Sequence, residues 1–317
     1  MIRSLLLGFT LLFGSHVFAD KAPPLRKAYA LDEVASNVYV IHGPIHQPNS
    51  ENQGFMNNPA FIVTDEGVVV VDPGASVQTG EMLLSHIAKV TDKAVIAVFN
   101  SHIHGDHWLG NQAIAARYPK AKIYAHPLMA KMVAEGEGDN WVELMMKLTD
   151  GATAGTRVVA PTDLVNDGDV IKVAGLNFHV IHKGPAHTET DIMILVKELG
   201  VIFLGDNAGY GRILRLDHGS YRGNIETLNL ALASGACVFV PGHGKSGGPI
   251  AASAYRDFLS TLYETVKAGY DDGKSDFEIR PEVVSKLAAW KDWVDFDSVL
   301  GPHISNAFLE AEAADFE

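Results

Sequence analysis

Short apolar runs alternate with stretches of helical spacing along most of the chain. Valine and isoleucine are frequent in these runs, and glycine, aspartate or asparagine commonly follows them, which is typical of strands. We predict strands at residues 38–42, 60–63, 68–71, 94–99, 122–126, 170–173, 176–182, 192–196, 201–204 and 236–240. Helical spacing covers residues 79–89, 111–118 and 128–156. Strands that alternate with helices predict an α/β fold built in layers.

The last part of the chain has only helical spacing. Helices are predicted over residues 251–267, 281–293 and 301–314, the last two beginning near Pro281 and Pro302, because proline is common in the first helical turn. We therefore divide the chain into an α/β domain at residues 20–250 and a C-terminal helical extension at residues 251–317 that packs on the same domain.

Residues 1–19 have the pattern of a secretory signal peptide. Arg3 precedes an apolar run at residues 5–13, and Val17 and Ala19 occupy the −3 and −1 positions of a cleavage site. The apolar run is too short for a lasting membrane anchor. We expect cleavage near Ala19 and a location in the periplasm or outside the cell.

The net charge indicates the kind of partner, and the single cysteine indicates a core position. The net charge of −13 and the absence of a basic stripe argue against nucleic acid, which requires a basic face, so a small-molecule substrate is expected. The single cysteine, Cys237, lies in the predicted strand at residues 236–240, where we expect it to be a small buried core residue.

Residues 100–111, N-S-H-I-H-G-D-H-W-L-G-N, place four possible metal ligands within six positions: His102, His104, Asp106 and His107. In a helix, residues two apart point to opposite sides, so these side chains would not converge. A strand end followed by a tight turn avoids this problem, and Gly105 permits a sharp bend. The motif therefore predicts a divalent-metal site at the end of the strand at residues 94–99.

Further donors follow other predicted strands. Asp72 follows residues 68–71, His187 follows a Gly-Pro turn, Asp206 follows residues 201–204, and His243 follows residues 236–240 between two glycines. Donors that recur at strand ends are expected to meet at one edge of the fold.

The motif H-I-H-G-D-H, with G-P-A-H-T-E-T-D at residues 184–191, resembles the metallo-β-lactamase superfamily. The resemblance implies a four-layer αβ/βα sandwich with one or two metals at its edge. It also implies how the donors divide between two metals: His102, His104 and His187 for the first, Asp106, His107 and His243 for the second, and Asp206 bridging them. Asp72 would support the ligands from behind, and Asp106 would also orient the attacking water.

The chemistry that the resemblance implies is hydrolysis. A three-histidine zinc site leaves one position open for water, whose pKa zinc lowers to roughly 7, so that a metal-bound hydroxide is available at neutral pH. Two zinc ions are expected, although nitrogen and oxygen ligands also admit iron or manganese. Candidate substrate contacts are Tyr210, Arg212, Arg215 and Lys245, because a basic side chain near the metals can hold an anionic substrate.

Three functions stay open from the sequence. The leading one is an exported binuclear zinc hydrolase that cleaves a carbonyl-linked bond, with a β-lactam amide as the first substrate. Familiar zinc β-lactamases of the first subclass have cysteine where this chain has Asp206 and lysine where it has Gly209. The aspartate is more similar to thioesterases of the glyoxalase II type and to lactonases, so a thioester or lactone is the alternative. The third is a non-catalytic partner in a periplasmic redox or sulfur pathway, because the helical tail resembles tails of periplasmic relatives found beside quinoprotein dehydrogenases.

Overall fold

Two β-sheets, packed face to face, form the centre of the molecule. A computed structural model describes residues 23–316. The predicted signal peptide at residues 1–19 lies outside the described residues, so export stays a prediction. The first sheet has seven strands in the order β1 (Asp32–Ala35), β2 (Val38–Val40), β3 (Ala60–Val63), β4 (Val68–Val71), β5 (Val95–Phe99), β6 (Lys122–Ala125) and β7 (Asp163–Leu164). The second has five strands, which in sequence order are β8 (Val170–Val173), β9 (Leu176–Ile181), β10 (Met193–Val196), β11 (Val201–Gly209) and β12 (Val238–His243).

Helices cover the outer face of each sheet. They are α1 (Val77–Val90), α2 (Gly105–Trp108), α3 (Asn111–Arg117), α4 (Pro127–Ala134), α5 (Glu137–Leu148), α6 (Tyr221–Ala233), α7 (Ile250–Asp271), α8 (Asp276–Lys286) and α9 (Phe296–Ala314). Short 3-10 turns occur at Lys197–Leu199 and Ala288–Trp290. Among residues 23–316, no helix combines the length and the apolar character needed to cross a bilayer.

Strand β4 shows how the sequence builds the layers. Its four valines are all buried, because the sheet is covered on both faces. Val69 and Val71 point into the core between the two sheets, whereas Val68 and Val70 point into the core beneath α1 and α3. The predicted four-layer α/β sandwich is confirmed.

The core between the sheets is closed by aromatic rings from both sides. Phe99 of β5 stacks on Phe178 of β9, with 5.1 Å between ring centroids, and also on Tyr124 of β6 at 4.9 Å. These strands bury large apolar surfaces on one another, which is the main driving force for layer packing. The packing fixes the positions of the strand ends from which the candidate ligands extend.

The C-terminal helices share a core with the second sheet. Phe258 and Leu262 of α7 and Ile304 of α9 are buried in one cluster with Leu204 of β11 and Phe239 of β12. This packing agrees with a helical extension on the same domain, while the exact division at residue 250 stays a prediction.

Two predicted helix starts are wrong. Helix α8 begins at Asp276, where the hydroxyl and backbone N–H of Ser275 bond the Glu278 carboxylate as part of a capping box, and Pro281 lies inside the helix. Likewise, α9 begins at Phe296, and Pro302 lies inside it. A proline leaves an earlier carbonyl without its helical donor, but burial of apolar residues on the same helices outweighs this loss.

The prediction for Cys237 is also wrong. This cysteine is exposed and lies one residue before β12, whereas the predicted strand at residues 236–240 would have included it. Strand β12 lies at the edge of the five-stranded sheet, so the chain that enters it is covered on fewer sides. The backbone N–H of Cys237 donates to the carbonyl of Gly200 at 2.8 Å.

Candidate metal centre

Seven histidine and aspartate side chains converge where strands of both sheets end at one edge. The loop after β5 supplies His102 and His104, and the short helix α2 supplies Asp106 and His107. His187 comes from the loop between β9 and β10. Asp206 lies inside β11, which continues five residues beyond its predicted end, and His243 is the last residue of β12. These are all the donors that the sequence predicted.

The donors form two groups. The first contains His102, His104, His187 and Asp206, and the second contains Asp106, His107 and His243; within each group the donor atoms lie within 4.8 Å of one another. Asp206 contacts both groups. Its Oδ1 lies 3.1 Å from His107 Nε2, and its Oδ2 lies 3.3 Å from His243 Nε2 and 3.6 Å from His187 Nε2.

The spacing of the donors fits divalent cations. Ligands at 2.0–2.1 Å from a tetrahedral metal are about 3.3 Å apart. Here His187 Nε2 lies 3.0 Å from His104 Nδ1, and His243 Nε2 lies 3.2 Å from Asp106 Oδ2. The pairs therefore have the separations that shared metal ligands require.

Several of these atoms are buried without a hydrogen bond. Within the described residues, His102 Nε2, Asp106 Oδ2, His107 Nε2 and Asp206 Oδ1 are buried and have no hydrogen-bond partner. A buried polar atom left unpaired costs about 1–3 kcal/mol. His107 Nε2 lies 3.1 Å from Asp206 Oδ1 and 3.4 Å from Asp106 Oδ2, so a cation between these atoms would satisfy several of them at once. The donor set therefore fits two metals that share Asp206.

Hydrogen bonds hold the Nδ1 atoms of three histidines, on the side of each ring away from the centre of the site. His107 Nδ1 donates to Asp72 Oδ2 at 2.8 Å, and His243 Nδ1 donates to the carbonyl of Met56 at 2.8 Å. The Ser101 hydroxyl donates to Asp72 Oδ2 at 2.6 Å and lies 2.9 Å from His102 Nδ1. Each contact leaves the Nε2 lone pair directed to the centre of the site. This is the arrangement that the supporting role predicted for Asp72 requires.

Protonation of the first group suits metal binding. Burial lowers the pKa of His102, His104 and His187, the last to about 3, so these imidazoles are neutral at pH 7. Burial opposes ionisation of Asp206, but the charges of His243 and His107 outweigh it and hold the pKa of this carboxyl well below its usual range. The first group thus offers neutral imidazoles and a carboxylate. In the second group burial opposes protonation, but Asp206 and Asp106 outweigh it and raise the pKa of His107 and His243, so a metal would displace protons there.

A cavity of about 280 Å³ opens onto the donors. Its walls come from the loop before β3, from α5 and from the loop after β11. The residues that line it are Gln47, Pro48, Met56, His104, Asp106, Trp141, Leu144, Met145, Leu148, His187, Asp206, Arg212, Leu214, Arg215, Asp217, His218 and His243. Its size and its mainly apolar walls suit a small organic molecule.

Only two of the four predicted substrate contacts line this cavity. Arg212 and Arg215 line it, whereas Tyr210 and Lys245 lie outside its lining. The Tyr210 ring packs against Trp293, with 5.7 Å between ring centroids, and Lys245 is exposed. Tyr210 lies outside the cavity because its ring is taken up by packing on Trp293, and Lys245 because its side chain is exposed to solvent.

Residues of α5 were not predicted as part of the site. Trp141, Leu144, Met145 and Leu148 recur at helical spacing, a pattern more typical of ordinary packing. Gly105 provides a hint, because a Cβ at this position would lie 2.7 Å from the Cβ of Trp141. Its small size is needed for the approach of α5 to the metal donors. The predicted bend does occur, because the chain passes from the extended His104 into α2 at Gly105, but Gly105 lacks the positive φ that would require glycine there.

Comparison with known proteins identifies the family. Residues 53–243 match the family model described as "Metallo-beta-lactamase superfamily". The chain belongs to the metallo-β-lactamase superfamily. The predicted family is confirmed, and the predicted class of metal-dependent hydrolase agrees with it. Helices α7, α8 and α9 lie outside the matched residues.

Similar members of the superfamily differ in their named activities. The chain is 24% identical over 195 residues to an atrochrysone carboxyl ACP thioesterase of Emericella nidulans, covering 61% of this chain and 53% of that protein. It is 28% identical over 151 residues to a hydroxyacylglutathione hydrolase of Synechococcus sp., covering 48% of each. The chain thus spans about half the length of these relatives. The solved structure of a metallo-β-lactamase from Pontibacter korlensis has a TM-score of 0.57 at 17% identity, covers 74% of this chain and 99% of that one, and shows the shared fold.

Proposed function

We propose that this protein is a hydrolase that binds two zinc ions and cleaves a carbonyl-linked bond. The observation that carries the proposal is the cluster of seven donors, six of them buried and His104 half-buried, in two groups joined by Asp206, at the base of a cavity. His102, His104 and His187 would hold one metal, and Asp106, His107 and His243 the other. Iron or manganese would also suit these nitrogen and oxygen ligands.

Bound cations of this kind supply Lewis acidity and lower the pKa of water to about 7, which makes hydroxide available at neutral pH. The protein contributes position and protonation state. Asp106 lines the cavity and is only 7% exposed, and a cation bound beside it would keep its carboxyl ionised. The resulting carboxylate would accept a hydrogen bond from a water molecule and orient it toward the substrate.

Thioesters are the first substrate class to test. Asp206 supports this choice because the sequence resembles glyoxalase II-type enzymes at that position. The names of two relatives, a thioesterase and a hydroxyacylglutathione hydrolase, support it as well. A β-lactam amide, the leading substrate expected from the sequence, is the second class to test. Lactones are the third substrate class to test.

The test is a panel of thioesters, lactones and β-lactams assayed with protein loaded with zinc. We expect turnover of at least one class, with the highest kcat/KM for a thioester, and loss of that turnover after chelation and in His104→Ala. His179→Ala, a half-buried histidine on β9, is the matched control and should retain activity. Zinc-loaded wild-type protein that hydrolyses none of the three classes would refute the proposal and favour a non-catalytic partner role.

A further inference from the structure

One wall of the cavity is an apolar face of α5. Trp141, Leu144, Met145 and Leu148 occupy positions one turn apart on this helix and line the cavity together. Leu144 is 40% exposed and Leu148 is 42% exposed, although most large apolar residues of the chain are buried. Exposed leucines that continue a cavity wall provide apolar surface which a ligand can cover.

Apolar residues from other elements face the same space. Pro48 and Met56 come from the loop before β3, and Leu214 comes from the loop after β11. The metal donors occupy the base of the cavity, so an apolar group bound here would lie next to the reacting bond. Such a surface favours an alkyl, acyl or aryl group over a strongly hydrated one.

The same cavity contains a buried cation with an unused donor. Arg212 is 4% exposed, and its Nε donates to Asp295 Oδ2 at 3.0 Å. Its Nη1 is buried and has no hydrogen-bond partner within residues 23–316. A guanidinium has five N–H donors and no acceptor, so an oxygen anion is the natural partner for the unused ones.

The C-terminal segment holds Arg212 in place. Asp295, the residue before α9, also accepts a hydrogen bond from Gln47 Nε2 at 2.8 Å. The neighbouring Val294 pairs with the backbone on both sides of Arg212: its N–H donates to the carbonyl of Gly211 at 3.0 Å, and its carbonyl accepts from Ile213 N–H at 2.9 Å. A segment outside the family match therefore fixes both the backbone and the side chain of this arginine.

We propose that the cavity binds an amphiphilic anion, whose apolar group lies on Trp141, Leu144 and Leu148 and whose carboxylate, sulfonate or similar group is held by Arg212. Asp295 is a positioning residue that orients Arg212. The inference deepens the proposed hydrolase by naming its substrate class, and for catalysis it rests on that proposal. Binding itself can be measured without turnover.

The first test follows the apolar wall. Zinc-loaded protein is titrated calorimetrically with ethane-, butane-, hexane- and octanesulfonate, which carry no hydrolysable ester, below their micellar concentrations. Each added CH₂ that becomes buried should tighten binding about two- to fourfold. Leu148→Glu should remove most of this dependence on chain length, whereas Leu230→Glu, at a leucine of α6 that is 37% exposed, should keep it. A Kd independent of chain length, or equal effects of the two substitutions, would overturn the proposal.

The second test isolates Arg212 from the metals, which also attract anions. Octanesulfonate is compared with methyl octyl sulfone, a neutral molecule with a similar chain. The double variant Arg212→Gln/Asp295→Asn removes both charges of the ion pair, so that no unpaired carboxylate is left behind. Its preference for the sulfonate over the sulfone should be about tenfold weaker than that of the wild type, while its affinity for the sulfone is unchanged. An unchanged preference would overturn the role of Arg212.

The positioning role of Asp295 has its own readout. Asp295→Asn keeps the arginine but weakens its tether, so the Kd for octanesulfonate should rise while the Kd for the sulfone stays constant. Equal losses for both ligands would mean general structural damage and would overturn this role. Lack of turnover of every ester would refute the hydrolase without affecting these binding results, so the two proposals can fail separately.

Discussion

Substitution of Asp72 by asparagine should weaken zinc binding although Asp72 is not a predicted ligand. Asp72 is 4% exposed, and its carboxylate accepts three hydrogen bonds: from Ser101 N–H at 2.8 Å, from the Ser101 hydroxyl at 2.6 Å and from His107 Nδ1 at 2.8 Å. Asparagine has nearly the same shape, and it tolerates the left-handed backbone of this position, where φ is 49°. The variant therefore changes the hydrogen-bond chemistry with little backbone strain.

The effect should act through the tautomer of His107. An amide group at Oδ2 would donate where the carboxylate accepted, so His107 Nδ1 would have to become an acceptor. The imidazole proton would then move to Nε2, the atom that faces Asp206 at 3.1 Å, and a protonated Nε2 has no lone pair for a metal. Loss of such a supporting contact typically costs 10- to 100-fold in metal affinity, or about 1.4–2.7 kcal/mol.

The assay is a competitive zinc titration against a chromophoric chelator at neutral pH. We expect a 10- to 100-fold higher Kd for at least one zinc in Asp72→Asn. Asp65→Asn, in the exposed turn after β3, is the matched control and should bind like the wild type. A folded Asp72→Asn protein whose two zinc affinities stay within about twofold of the wild type would refute the tautomer argument.

Three further predictions concern stability and metal content. Burial lowers the pKa of His303 to about 4, below its ordinary 6.5, so up to about 3 kcal/mol of folding stability is lost as the pH falls from 6.5 to 4. Urea unfolding at several pH values should show a flatter dependence of the free energy of unfolding on pH in His303→Gln than in the wild type. Parallel curves for the two proteins would contradict this. Gly242→Ala places a Cβ 2.0 Å from Asp206 Oδ1, so elemental analysis of this variant should find fewer than two zinc ions per chain. The control Gly248→Ala, where a Cβ meets no atom within 4 Å, should retain both. Equal zinc contents in the two variants would show that the site adapts. Removal of zinc by a chelator should lower Tm by about 5–10 °C, because a ligand at 100 times its Kd stabilises the folded protein by about 2.7 kcal/mol. Adding zinc back should restore Tm. An unchanged Tm would exclude a cation that contributes to folded stability.

The strands and the donor cluster could be predicted because both depend on local patterns. The hairpin of β3 and β4 follows from two apolar runs with Asp65 and Gly67 between them, and the structure pairs these strands as expected. Donors after several buried strands meet because parallel strands such as β4 and β5 end at the same sheet edge. The seven donors were named from this rule and from the family resemblance, without knowledge of any distance.

The cavity walls could not be predicted because they depend on contacts between distant segments. Asp295 holds Arg212 across 83 positions, and no local pattern marks the aspartate as a partner. The spacing of Trp141 and Leu148 indicates an amphipathic helix but not what its apolar face covers. Cys237 shows the same limit, since burial of a strand end depends on whether another strand lies beside it.

Crystals of the purified protein grown with zinc, measured on both sides of the zinc absorption edge, would locate bound zinc without reference to activity. We predict two anomalous peaks roughly 3.5–4 Å apart. One should lie among His102, His104 and His187, the other among Asp106, His107 and His243, with Asp206 between them. Absence of zinc from this cluster while zinc is bound elsewhere, or a single peak at full zinc saturation, would contradict a centre of two metals that share Asp206.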